Sequence, residues 1–196
     1  MDPVFGALIL LFIAISVGCL VYLHLLPTGL NPLRNAVSEY GVGRFHFWYQ
    51  AMCVNQAIAA FLTAAALATK VTPAPFAVDA ALVVFGLARL VISQASVVVV
   101  HGKRTTTSRI HILMAVLIFG SAVAASTSLD RTIAGQAGWA SVLSALHLFK
   151  HAIALFALLT FLAVTLTSGL RYVGAVERLL YVSITGWFVT IGIHLL

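Results

Sequence analysis

Six long apolar stretches, at about residues 4–26, 45–69, 75–100, 110–129, 140–167 and 172–196, take up most of the chain. Crossing a bilayer takes about 20 apolar residues in a helix, and each stretch approaches or exceeds that length. In lipid, only helices and closed barrels satisfy every backbone hydrogen bond, and these runs are far longer than barrel strands of about 10 residues. Polar or Pro/Gly breaks divide them: Pro27-Thr28-Gly29, Thr72-Pro73-Ala74-Pro75, His101-Gly102-Lys103-Arg104, Asp130-Arg131 and Ser168-Gly169. The pattern predicts an all-α membrane protein, a six-transmembrane-helix bundle forming one domain over residues 1–196. Composition agrees, because 62% of residues are hydrophobic and only 8% charged. A soluble domain carries about a quarter charged residues, and a disordered chain lacks such apolar content.

The first stretch begins with Asp2 and no Lys or Arg, and it is longer than the apolar core of a signal peptide. It is therefore expected to remain as a mature helix. The net charge of +6 reflects few basic residues, whose placement reads as a topology signal rather than a nucleic-acid patch. Arg34, Arg44, Lys103, Arg104, Arg109, Arg171 and Arg178 follow stretches one, three and five; Lys70 and Arg131 lie on the other side. The positive-inside rule then predicts a multi-pass protein of the cell membrane with both termini outside. Cys19 and Cys53 fall inside apolar runs and read as small hydrophobes. The bilayer is the expected partner, with a bound lipid as a further one and no nucleic acid.

The longest connector is also the most polar. From Leu26 it reads Leu-Pro-Thr-Gly-Leu-Asn-Pro-Leu-Arg-Asn-Ala-Val-Ser-Glu-Tyr-Gly-Val-Gly-Arg to Arg44, followed by Phe47-Trp48. His111 opens the fourth stretch, and Gly174-Ala175-Val176-Glu177-Arg178 precedes the last. An Asn-Pro, a Ser-(Asp/Glu)-(Tyr/Leu)-Gly element, a His at the fourth helix and a Gly-Leu-x-Glu-Arg mark occur in this order in one bacterial and archaeal membrane family. The chain resembles that family, known as domain of unknown function 998, with Ala175 in place of the usual Leu. The resemblance implies a six-helix layout over nearly the whole chain. It transfers no established activity.

On the expected topology, Asn35, Ser38, Glu39, Tyr40, Arg44, His111, Glu177 and Arg178 approach the cytoplasmic face, as do His24, His46 and His101. A carboxylate, an imidazole and a guanidinium together suit acid–base or metal chemistry. They equally suit an anionic lipid headgroup, since Arg bonds phosphate in a bidentate fashion. A third reading is an interfacial network in which Glu39 and Glu177 neutralise arginines and cap helices. Arg89 falls near the middle of the third stretch, on one helical face with Gly86, Ser93 and Ser96. A central arginine costs about 2.5–3.5 kcal/mol on insertion scales, so it should face the bundle or a watered cavity. Asp79 is ten residues earlier, roughly 15 Å along the axis and too distant to pair with it.

His147 and His151, at i and i+4, share a face and are the weak candidates for a divalent metal or haem, with His194 nearby. No acidic residue in adjacent sequence completes a zinc motif. Asn55, Gln56 and Gln94 read as interhelical hydrogen bonders, and Trp48, Tyr49, Trp139 and Trp187 as interface anchors. Nucleophile elbows, phosphate loops and dinucleotide fingerprints are lacking. The function these residues favour is binding of a lipid-like or anionic amphipathic ligand near the cytoplasmic face, by Asn35, Ser38, Glu39, Arg44, Arg89, His111, Glu177 and Arg178. Catalysis on such a lipid, small-molecule transport and haem-based electron carriage remain alternatives, as does a packed partner-binding role.

Overall fold

A computed structural model describes residues 3–72, 75–95, 99–100, 103–104, 106–166 and 172–196. Six helices carry the fold: α1 (Val4–Leu25), α2 (His46–Lys70), α3 (Phe76–Ile92), α4 (Thr106–Ile133), α5 (Leu143–Leu166) and α6 (Val173–His194). All but α3 are long and apolar enough to cross a membrane by length and composition. Each helix packs on the next, α6 closes back onto α1, and α2 touches α6 across the ring. The α4–α5 seam is the loosest of the sequential pairs.

Burial follows the helical period. On α1, Ile9, Ile13, Ser16, Cys19 and Leu23 are buried, while Leu11, Ile15 and Val21 face outward. An apolar outward face suits lipid, where the packing force between helices comes from close approach rather than water exclusion. Gly6 provides one such approach, because a Cβ there would lie 2.6 Å from the Gly192 carbonyl oxygen of α6.

The third span differs from the sequence expectation. Helix α3 stops at Ile92 instead of running to residue 100, and Val99–Val100 pairs antiparallel with Lys103–Arg104. The stop has a local cause. Ser93 Oγ donates to the Leu90 carbonyl at 2.6 Å, and Gln94 Nε2 donates to Ser93 Oγ at 3.1 Å. Such side-chain bonds compete with the helical ladder, and β-branched Val99 and Val100 favour extended backbone. Arg89 therefore lies in the last turn of α3, not at mid-span. Ser96, His101 and Arg171 lie outside the described residues.

Candidate functional site

The two polar motifs of the sequence meet. The connector between α1 and α2 folds over the start of α6, and its Leu33 carbonyl accepts the Ala175 N–H at 3.1 Å. Gly174 makes this possible, since a Cβ there would fall onto the Asn35 carbonyl oxygen. Within the connector, Glu39 accepts from the Ala36 N–H at 2.7 Å and from Asn35 Nδ2 at 2.8 Å, capping the 3-10 turn Val37–Gly41. Asn35 Oδ1 in turn accepts the Asn31 N–H at 2.7 Å. Glu177, buried on α6, accepts the Val37 N–H at 2.8 Å. Arg178 donates from Nη1 to the Asn35 and Gly174 carbonyls at 2.8 and 2.9 Å, and from Nε to His24 Nε2 at 2.8 Å. His24 Nδ1 bonds the Leu20 carbonyl at 2.6 Å. Both contacts are compatible only with a ring protonated on Nδ1 and accepting on Nε2.

This corrects the expected interfacial network in one respect. Among the described residues neither Glu39 nor Glu177 makes an ion pair; their oxygens are turned to amide N–H donors. Arg178 is satisfied by carbonyls and an imidazole. The network is held by hydrogen bonds.

Arg89 is 1% exposed. Its partners come from other helices: Nη1 donates to Tyr181 Oη of α6 at 2.8 Å, Nη2 donates to Gln56 Oε1 of α2, and the guanidinium lies 5.0 Å from the Tyr181 ring centroid. Among the described residues Nε is buried without a hydrogen-bond partner, and Tyr49 Oη is buried with only the Cys53 thiol, a weak acceptor, beside it. Tyr49, Cys53 and Gln56, all buried, form one stripe of α2 at i, i+4 and i+7.

These groups surround a cavity of about 1200 Å³ bounded by α3, α4, α5, α6, the connector and, through Tyr49, the first turn of α2. Ser38, Glu39, Arg44, Arg89, His111 and Glu177 line it, as do Tyr49 and Tyr181. His111 bonds the Ala95 carbonyl through Nδ1 at 2.7 Å. A carbonyl only accepts, so Nδ1 carries the hydrogen and a neutral ring presents Nε2 as an acceptor. Arg44 is exposed at the rim, its guanidinium 5.5 Å from the Phe45 ring centroid. The far wall is apolar: Val116 and Gly120 of α4, with Leu158, Phe161 and Val164 of α5, line the cavity and are exposed on the outer surface. The cavity thus joins a polar end under the connector to an apolar mouth along the α4–α5 seam.

Six of the eight sequence candidates therefore share one cavity. Asn35 and Arg178 do not line it and instead brace the connector from behind. His111 and the two carboxylates share the space, yet among the described residues no hydrogen bond joins the imidazole to either of them. Tyr181 did not stand out in the sequence, although its i+4 spacing from Glu177 places both on one face of α6. Tyr49 was open to the same reading, through the buried polar stripe of α2, and Gln56 hydrogen-bonds between helices as expected, to Arg89. Tyr49 and Trp187 are buried at 1% and 3% exposure, not interface anchors. Trp139 is buried too, its ring 4.1 Å from that of His194. Asn55 bonds its own helix at the Ala51 carbonyl, whereas Gln50 and Gln94 do meet across α2 and α3 at 3.4 Å.

At the other end of the bundle, Asp130 of α4 pairs with Lys150 Nζ of α5 at 2.6 Å and with His147 Nε2. His151 Nδ1 bonds the His147 carbonyl, so the two rings do not converge as metal ligands. Among the described residues no three His, Cys, Asp or Glu side chains form a metal-binding group.

A family model described as "Protein of unknown function (DUF998)" matches residues 7–194, and the chain belongs to that family. No curated protein and no solved structure matches the chain.

Proposed function

We propose that this membrane protein holds a lipid-like or anionic amphipathic molecule in the α3–α6 cavity. The polar part sits among Ser38, Glu39, Arg44, Arg89, His111 and Glu177, and the apolar part runs along α4 and α5. The observation that carries this reading is Arg89: a buried cation with only neutral described partners, beside a cavity whose other end is apolar and opens on the outer face of the bundle. Buried charges are costly unless paired, and intramembrane ones mark ligand paths or internal pairs. Packing of apolar side chains around an open apolar mouth suits an acyl chain better than a fully polar solute.

In this reading the chain crosses a cell membrane six times. Helix α3 runs between the Lys70 end of α2 and the Thr106 end of α4, and its 17 residues span about 26 Å, close to the hydrocarbon thickness of about 30 Å. The distribution of basic residues supports a cytoplasmic connector face with both termini outside.

Native mass spectrometry from mild detergent tests the cavity. The wild-type protein should retain a discrete added mass in the range of a lipid-like molecule. Gly120→Trp should lose it while keeping its melting temperature, because nothing lies within 4 Å of a Cβ at that cavity-lining position. An identical added mass on both proteins refutes the site, as does a bare mass that lipid supplementation leaves unchanged.

A further inference from the structure

We propose that the deep end of the cavity is an oxyanion seat, in which Arg89 supplies the charge and the hydroxyls of Tyr49 and Tyr181 donate hydrogen bonds to the phosphate or carboxylate of the ligand's head. The inference rests on the cavity being a ligand site and names what that site recognises. Three donor groups belong to residues that line this one cavity, and among the described residues none has a strong acceptor. Arg89 Nε–H is buried and has no partner among the described residues. Tyr49 lines the cavity with a side chain 1% exposed, and among the described residues its buried Oη has no oxygen or nitrogen partner, only the Cys53 thiol, a weak acceptor, beside it. Tyr181 Oη accepts from Arg89 Nη1 at 2.8 Å, which leaves its own proton to donate elsewhere.

A ligand group that satisfies all three must accept without donating and must carry negative charge. Ionised phosphate and carboxylate do both, and a guanidinium binds them more strongly than it binds neutral oxygens. An ammonium head would meet a buried cation and a set of hydrogens. The cavity's own carboxylates do not fill the seat, since Glu39 and Glu177 face the N–H groups of the connector and make no ion pair among the described residues. The apolar mouth lies on the α4–α5 side, so the head enters first and the chain trails toward lipid.

Binding to the purified full chain in dodecyl maltoside separates the possibilities, using decyl phosphate, decanol and inorganic phosphate as probes. Decyl phosphate should bind at least tenfold more tightly than decanol, and inorganic phosphate more weakly than decyl phosphate. Tyr49→Phe keeps the ring and removes one hydrogen bond to a charged group, so it should weaken decyl phosphate about tenfold and leave decanol unchanged. Tyr181→Phe and Arg89→Gln should also weaken decyl phosphate, and Tyr49→Phe stands alone if Arg89→Gln fails to fold. Equal affinity for decyl phosphate and decanol, both blocked by Gly120→Trp, overturns the oxyanion seat and keeps the amphiphile site. Inorganic phosphate binding as tightly as decyl phosphate assigns the seat to a free anion and overturns the lipid source. Absence of any probe binding, or binding that Gly120→Trp does not alter, overturns the cavity reading itself.

Discussion

Replacing Gly174 by alanine should lower the melting temperature, while replacing Gly18 by alanine should raise it. Alanine in a helix is favoured over glycine by about 0.5–1 kcal/mol. At Gly18 nothing lies within 4 Å of the added Cβ, so that gain is unopposed. At Gly174 the Cβ would fall onto the Asn35 carbonyl oxygen and lie 2.6 Å from that of Pro32. Carbon–oxygen contacts ordinarily begin near 3.3 Å, so the connector must retreat by roughly 0.7 Å or more. That retreat stretches the Leu33–Ala175, Asn35–Arg178 and Val37–Glu177 hydrogen bonds together. Two of them involve a charged side chain and contribute about 1.5–3 kcal/mol each when intact. Partial loss of these, less the helical gain, leaves a net destabilisation of about 2–3 kcal/mol, within the usual range for overpacking. For a chain of this length the shift is about 2–4 °C per kcal/mol. Fluorescence-detected melts in one detergent should therefore show Gly174→Ala about 5–10 °C below wild type, and Gly18→Ala about 1–4 °C above it. A Gly174→Ala protein that melts at or above wild type would show that the connector is not seated on α6.

Gln56→Glu gives Arg89 an internal counter-ion, so it should reduce decyl phosphate affinity at least tenfold without lowering the melting temperature; unchanged affinity would separate the anion from Arg89. Arg178→Lys exchanges a fork that reaches two carbonyls and His24 for a point charge, and should cost about 1–3 kcal/mol in thermal or chaotrope unfolding. Asp130→Asn removes the part-exposed ion pair that ties α4 to α5 and should cost under about 1 kcal/mol. High salt should narrow that difference in melting temperature, and a salt-independent loss would mean that packing rather than charge is involved.

The helices were legible because span length and apolar content are imposed by the bilayer. The end of α3 was not, since Val97–Val100 continue the apolar run and the interruption lies in hydrogen bonds of Ser93 and Gln94. The polar residues themselves were legible, but their partition was not. Glu177 and Arg178 are sequence neighbours about 100° apart on α6: one lines the cavity and caps Val37, and the other turns to His24 and Asn35. Which of the two faces the cavity depends on how α6 is rotated against a connector more than a hundred residues away, and spacing alone carries no such information. The partition also bears on why Arg89 is there. Where structure alone requires a cation, this chain supplies its acceptors: Lys150 has Asp130 between neighbouring helices, and Arg178 spends its N–H groups on two carbonyls and an imidazole. Arg89 is the most buried of the three, yet among the described residues its Nε–H has no acceptor and its other partners are a neutral amide and a phenol. Asp79, the one acidic residue of α3, sits at the opposite end of that helix. An arginine kept only for packing would be replaceable by an apolar side chain at a gain in stability, because a buried cation without a counter-ion is a net cost. Its placement against a cavity that opens on an apolar surface is accounted for if the counter-charge arrives with the ligand.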